Sequence, residues 1–346
     1  MPDSGNLSQA RVVVLGAGGF IGRKLVGALG RVPEFQPVAL VRRPTRSQDA
    51  EVMVCDATDA NGMRRVLAGA DYAVNCIAGS DAGMIKATNV LCDVARRSGL
   101  RRLVHLSSMA VYGAATGIVH ETSPALAPLS GYGLAKQQCE QIVRGFVVDG
   151  GEAVILRPGC VYGPGSEQWT GRIARLLQAG RLGDLGANGD GICNLTFVDD
   201  LVEAIIASLT RAGASGKVFN IAMSDPPDWN SYLTRFARAL GATPVKRLPG
   251  RQLKLEAKLL APALRLSSMA VRISRVPVRL PDAITPSLAS LFRQEIRLDV
   301  HKASEELEVQ ETEFEWGLAA SARWIADRQR GTSAQPQVSY VEAQHR

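Results

Sequence analysis

Tyr132 and Lys136 stand four residues apart in the segment LSGYGLAKQQCE, which opens a helical pattern. Four residues make about one helical turn, so both side chains rise from the same face. A free phenol holds its proton up to a pH of about 10 and is a poor base at neutrality. An ammonium group one turn away stabilises the phenolate, lowers that value, and makes a centre able to take and return a proton. Y-x-x-x-K recurs by accident, so the meaning of the pair depends on what is built around it. A second chemical element is LGAGGFIGRKLVGAL, where Gly16, Gly19 and Gly22 form G-x-x-G-x-x-G and Gly18 adds a G-x-G. Such glycines, with Phe20 and Ile21 between them, let the backbone turn tightly and bring a pyrophosphate to amides at a helix N-terminus. A dinucleotide is the expected ligand.

Elements able to position these groups alternate along the first half of the chain. RVVVLGAG, PVALV, EVMVCD, YAVNCIAG, RLVHLSS and EAVILRP are apolar strand patterns. IGRKLVGALG, GMRRVLAG, TNVLCDVARRSG and YGLAKQQCEQIVRGF have helical period. Strands that are apolar throughout, alternating with helices, predict a parallel sheet covered on both faces. The expected fold is therefore α/β, a Rossmann-type doubly wound parallel sheet, with a smaller, mainly helical C-terminal substrate lobe. FVDDLVEAIIASLT predicts a further helix with acids at its positive end, and GKVFNIA a last strand. We expect a dinucleotide-binding unit at 1–164 plus about 196–222, a lobe at about 165–195 and 223–330, and a flexible tail at 331–346.

The second strand ends in Arg42-Arg43, where a dinucleotide domain that selects NAD commonly offers a carboxylate to the ribose. Guanidinium groups pair with a 2′-phosphate, which favours NADP(H) over NAD(H). Asp56, ending the third strand, is placed to meet the adenine amino group or to cap the helix that follows. Asn89 is read as a helix N-cap for VLCDVARRSG.

Composition narrows the classes. The 346 residues are 46% hydrophobic and 21% charged, which fits a globular chain. No apolar run is long enough to span a bilayer and MPDSGNLSQA has no signal-peptide pattern, so a cytoplasmic location is expected. Six cysteines without C-x-x-C and four histidines without H-x-x-x-H give no metal site and no disulfide framework. Of the net charge of +7, a local +8 lies between Lys246 and Arg279, with nine basic residues and one acid, Glu256. That stretch has no aromatic residue, which argues against nucleic acid. Its mixture of leucines and spaced cations suits peripheral contact with acidic lipid, against the plainer reading of a solvated helix.

The motifs GAGGFIG, CDATD, VHLSSMAVYG, YGLAK, LRPGCVYGPG, FVDDLVEAI, KVFNIA and LDVHKASEELEV occur in an order that resembles the extended short-chain dehydrogenase/reductase family, its NAD(P)-dependent epimerase/dehydratase group. The resemblance implies a catalytic trio of Ser108, Tyr132 and Lys136, Ser108 lying four residues before Tyr112 of the VYG motif. Lys136 would also reach the nicotinamide ribose, and Ala78, Pro158 and Gly159 would join the cofactor contacts. Where family members that eliminate or decarboxylate carry acidic side chains, this chain has Met109-Ala110, which cannot move protons. Plain hydride transfer between a secondary alcohol and a ketone is the expected chemistry. The alternatives are a nucleotide-sugar 4-epimerase with retained NAD and a cofactor-binding scaffold without turnover. Against the epimerase stand Cys160 and Cys193, at positions where relatives grip a diphosphate; Arg172, Arg175, Arg293 or Arg297 would have to compensate. A homodimer is implied by the resemblance.

Overall fold

An apolar run buried on both sides cannot face water, and the central strands of this chain are such runs, whereas the edge strand Glu51–Val54 is partly exposed. The computed structural model describes residues 9–331 apart from 45, 46, 48, 263 and 265–280. The expected tail from 332 onward and the latter part of the basic segment lie outside the described residues. The strands β1 (Ala10–Leu15), β2 (Phe35–Val41), β3 (Glu51–Val54), β4 (Tyr72–Asn75), β5 (Arg102–Leu106), β7 (Ala153–Pro158) and β10 (Val218–Ile221) form one sheet. Its order is β3-β2-β1-β4-β5-β7-β10, with every neighbouring pair parallel. The chain winds outward from β1 to β3 and then crosses to β4, so the order reverses beside β1. That is the doubly wound arrangement, and the reversal opens a crevice at the carboxyl ends of β1 and β4.

Alternation along the strands feeds two cores. Val12 and Val14 point to the face covered by α1 (Phe20–Leu29) and α6 (Val198–Thr210). Val13 and Leu15 point to the face covered by α2 (Ala60–Leu67), α3 (Asp81–Ala95) and α4 (Gly131–Val148). Helix α3 starts seven residues before the expected TNVLCDVARRSG. Its cap is Ser80, whose hydroxyl accepts from Gly83 N at 3.3 Å, while Asn89 is exposed in mid-helix and caps nothing. The reason is that Met84 and Ala87 extend the buried stripe backward. Likewise Asp59, not Asp56, caps α2, accepting from Asn61 N at 3.0 Å.

A third core is built from aromatic side chains after β7. Tyr162, Phe197, Trp229, Tyr232, Phe236 and Phe292 are buried there, with the Trp229 and Phe292 rings 4.9 Å apart. It is framed by α5 (Arg172–Gln178), α7 (Trp229–Ala239), α8 (Gly250–Leu255), α9 (Pro286–Leu291) and α11 (Phe314–Gln329), and by the pair β8 (Cys160–Tyr162) and β9 (Leu195–Phe197). The 228–330 stretch is mostly helical as expected, but β11 (Ile296–Leu298) interrupts it and pairs with β6 (Gly117–Val119). Helix α10 (His301–Leu307) buries Ala303 and Leu307 in the sheet-side core, so this segment does not sit with the lobe.

One carboxylate joins the two parts. Asp200, in the first turn of α6 and 9% exposed, accepts from Thr312 N at 3.1 Å and from the Thr312 hydroxyl. Burial pushes its carboxyl up to about 6 despite those hydrogen bonds. The folded chain therefore holds this proton more tightly than the unfolded chain, whose carboxyl titrates at about 3.9. The resulting stability is complete below about pH 4 and is lost as pH rises through about 6. Asp200→Asn is expected to flatten that fall, by on the order of 1–2 kcal/mol after allowance for solvent screening. Urea unfolding of both proteins across this range checks it; parallel curves would refute it.

Candidate active site

The glycine loop follows from backbone space. Gly16 has φ 77°, and a Cβ there would lie 2.9 Å from the Cys76 carbonyl oxygen on the neighbouring strand end. A Cβ on Gly22 would strike the Gly16 oxygen at 2.3 Å, so α1 can close onto the loop only without a side chain. At Gly18 a Cβ would meet only Val41 Cγ1, at 3.9 Å, which leaves room beside the loop. Gly19 begins α1 with no side-chain cap, and the first turn, where Phe20 and Ile21 lie, carries no acid. Amides at the start of a helix have no partner within it, and here no carboxylate competes for them. The loop thus fits a pyrophosphate.

The other cofactor candidates line the same sheet edge. Arg42 and Arg43 are exposed immediately beyond β2. Asp56 is exposed beyond β3, its Oδ1 accepting from Thr58 N and Oγ1 at 2.9 and 2.8 Å. Those bonds hold its carboxyl below the ordinary value, with smaller pulls from Arg42 and Lys86. Ala78 is exposed between β4 and α3, and Pro158 is buried at the end of β7. Gly159 has a packing reason of its own: a Cβ would meet the Asn194 oxygen at 2.2 Å.

The trio comes together from two elements, the turn after β5 and helix α4. Ser108 caps a short 3-10 turn, Met109–Tyr112, its Oγ accepting from Ala110 N at 3.2 Å. Tyr132 is the second residue of α4, capped by Ser130 through Gly133 N at 3.1 Å. A Cβ on Gly133 would lie 2.7 Å from the Ala110 oxygen, so this glycine lets α4 approach the turn that carries Ser108. The Tyr132 phenol lies close enough to the Ser108 hydroxyl for that group to pull its pKa down. Lys136 is 3% exposed, its Nζ donating to the Leu106 oxygen at 2.6 Å and lying 5.8 Å from the Tyr132 ring centre.

The electrostatics depart from the expected depression of the phenol. Although 40% of the Tyr132 surface is exposed, the protein atoms crowded around it raise its pKa, and the Ser108 hydroxyl lowers it by less. Burial also lowers Lys136, against smaller opposing effects of Cys139, Cys76 and Glu140. The reason is that desolvation disfavours both charged forms at once. Met109 is buried and Ala110 half-buried, so no acidic side chain follows Ser108.

Several polar groups behind the trio were not singled out in the sequence. His105 is 1% exposed, its Nδ1 facing Asn75 Nδ2 at 3.2 Å, and its Nε2 is without a partner. Burial, then the neighbouring Lys136, keeps it neutral. Glu140 and Arg157 form a buried ion pair at 2.7 Å. The available signal was a charged or imidazole residue inside an apolar strand run, as in RLVHLSS and EAVILRP.

In the aromatic lobe the cations named for a diphosphate are mostly occupied. Arg175 pairs with Asp282 and Glu167, and Arg297 with Asp225. Arg172 donates to the Ala283 oxygen, and Arg293 is exposed. Cys160 and Cys193 are 4% and 0% exposed within the aromatic core, away from any solvated anion.

The profile of the NAD dependent epimerase/dehydratase family matches residues 12–222. The chain belongs to this family. The chain is accordingly an NAD(P)-dependent enzyme. A 3-diazoavenalumate denitrifying reductase from a Streptomyces species is 31% identical over 261 residues, 69% of this chain and 84% of that protein. A UDP-glucose 4-epimerase from Thermotoga maritima, solved with UDP-glucose, superposes with a TM-score of 0.71 at 18% identity, covering 92% of this chain and all (100%) of that one. MoeE5, solved with UDP-glucose and NAD, gives 0.69 at 23%, covering 94% and 100%. Among the described residues, no helix is long and apolar enough to cross a membrane.

Proposed function

We propose that this chain interconverts a secondary alcohol and a ketone, with Ser108, Tyr132 and Lys136 as its catalytic residues. The observation that carries this reading is the approach of α4 to the Ser108 turn at Gly133, which brings Tyr132 and the buried Lys136, 5.8 Å from its ring centre, to Ser108 with no second acid or base at Met109-Ala110. When bound, the nicotinamide cofactor supplies the hydride acceptor or donor. Ser108 holds the substrate oxygen beside the phenol. Tyr132, kept protonated at neutral pH by its surroundings, gives its proton to a carbonyl oxygen during reduction and takes it back in the reverse direction. Lys136 keeps positive charge beneath the ring and stabilises the phenolate left behind. Elimination needs a further proton carrier, which Met109-Ala110 do not provide.

The nucleotide-sugar 4-epimerase is the second reading, favoured by the likeness to proteins solved with UDP-glucose. The occupied Arg175 and Arg297 and the buried Cys160 and Cys193 weigh against it. NADP(H) is the proposed cofactor, supported by Arg42 and Arg43 beyond β2, and NAD(H) the alternative. A peripheral contact of the basic segment with acidic lipid is also proposed. Its described part exposes Lys246, Arg247, Arg251 and Lys258 beside Leu255 and Leu259, which are 58% and 66% exposed. Its one acid, Glu256, is buried against Arg181.

Tyr132→Phe is expected to lower turnover by about 100-fold or more while NADPH binding persists. NADPH oxidation across a panel of aliphatic, cyclic and aromatic ketones, with cofactor fluorescence alongside, reads both; undiminished turnover would sink the mechanism. Arg42→Ala with Arg43→Ala should weaken NADPH by about 10-fold or more and NADH little. Equal losses would remove the 2′-phosphate role, and NAD retained through purification would carry the epimerase reading instead. For the lipid contact, the full chain should sediment with phosphatidylglycerol vesicles but not with phosphatidylcholine vesicles. Arg251→Glu with Lys258→Glu should release it; binding indifferent to vesicle charge would contradict the proposal.

A further inference from the structure

Three residues at successive turns of one face of α4 each approach a different residue at the end of β5. Tyr132 meets the Ser108 hydroxyl, and Lys136 donates to the Leu106 oxygen at 2.6 Å. The third, Glu140, accepts from the Ser107 hydroxyl at 2.6 Å. Residues 106 and 107 are thus hydrogen-bonded to the helix whose first turn lies beside Ser108, and of the helix residues involved only Glu140 stands outside the trio.

Glu140 is itself clamped. Arg157, at the end of β7, donates Nε to Glu140 Oε1 at 2.8 Å and Nη2 to Oε2 at 2.7 Å. Its Nη1 donates to the Tyr112 hydroxyl at 2.9 Å and to the Glu121 oxygen at 3.1 Å, and its guanidinium lies 4.8 Å from the centre of the Tyr112 ring. Tyr112 in turn donates to Asn220 Oδ1 at 2.6 Å, and Asn220 Nδ2 donates to the Asp299 oxygen at 3.0 Å. Ser107, Tyr112, Glu140, Arg157 and Asn220 are all 4% exposed or less. Breaking such a pair costs more than keeping it stabilises, so its characteristic gain is a single geometry rather than stability.

We propose that Glu140 and Arg157 are positioning residues: acting through Ser107, they fix the end of β5 so that the Ser108 hydroxyl meets the Tyr132 phenol. The network spans β5, the Met109–Tyr112 turn, α4, β7 and β10, which are the elements that carry the trio and its neighbours. Arg157 directly precedes Pro158, and Tyr112 closes the turn that Ser108 opens, so a slackened pair would shift both ends of the site. Neither Glu140 nor Arg157 takes part in proton or hydride transfer in this scheme. Their importance for turnover rests on the reading of Tyr132 and Ser108 given above, but their effect on geometry can be measured without a substrate.

The titration of the Tyr132 phenol is the readout, because the groups acting on it are few: Ser108 from the turn, and Cys139 and Lys136 from its own helix. The full chain without added cofactor is titrated by ultraviolet difference absorbance, each protein against its own Tyr132→Phe counterpart. Ser108→Ala removes a hydroxyl that lowers the phenol and is expected to move its titration to higher pH. Ser107→Ala, which leaves the ion pair whole, is expected to move it the same way by a comparable step. Arg157→Lys keeps the charge but loses the fork and should act likewise; if that variant does not fold, Ser107→Ala still decides. Wild-type titration in Ser107→Ala beside a shifted Ser108→Ala would reduce the network to a structural tie and overturn the proposal. An unshifted Ser108→Ala would overturn it too, by removing the contact it serves. Neither result depends on turnover, so loss of the catalytic reading in Tyr132→Phe would be seen separately.

Discussion

Seven strands that all run the same way must each hand the chain to a crossover before the next can begin. Every carboxyl end then lies along one edge, and the loops leaving that edge are the only places where residues distant in sequence can meet around a ligand. Gly16 after β1, Arg42 after β2, Asp56 after β3, Ala78 after β4, Ser108 after β5 and Pro158 at the end of β7 are all at that edge. The order reversal beside β1 adds the crevice, and the closeness of Gly16 to the Cys76 carbonyl shows how tightly β1 and β4 are drawn together at its mouth. A side chain at Gly16 or Gly22 would wedge the loop open, so the sheet's geometry, more than any cofactor, dictates those two glycines.

The same edge concentrates charge where water is scarce. Lys136, Glu140 and Arg157 are each less than 5% exposed, and a buried charge is tolerated only when paired and hydrogen-bonded. Glu140 and Arg157 satisfy each other through two bonds, whereas Lys136 has a carbonyl as its hydrogen-bond acceptor. Desolvation consequently lowers Lys136. His105, next to it on the inner side, stays neutral for the same reason and adds no positive charge. The ammonium therefore sits in a field tuned by its neighbours, with Cys139, then Cys76 and Glu140, partly offsetting its burial.

Much of this was legible because apolar strand runs and glycine spacing are local patterns. The seven strands of the sheet, the glycine loop and the helix carrying Tyr132 and Lys136 can each be read from a window of a dozen residues. What could not be read depends on partners far away in the chain. The three-residue strands β6 and β11 exist only because 117–119 and 296–298 meet, and the same holds for β8 with β9. Asn89 resembled a cap because its side chain suits one, yet the buried stripe runs back past it to Ser80. The pair spacing gives the nearness of a cation but not the desolvation of the phenol, which raises Tyr132 in the chain without the nicotinamide charge that the expected depression also counted on. Glu140 and Arg157 were unremarkable as single residues and gain meaning only from a contact across 17 positions.

The lobe shows why recognition of substrate is harder to read than chemistry. A cation in a sequence is a candidate anion ligand until its partners are known: Arg175 and Arg181 pair with the half-buried Asp282 and the buried Glu256, and Arg297 with the exposed Asp225. The pairs of Arg175 and Arg181 tie α5 and the following loop to residues near 256 and 282, a structural use of those guanidinium groups. The aromatic core places Cys160 and Cys193 among Tyr162, Trp229 and Tyr232, so these positions contribute volume rather than charge.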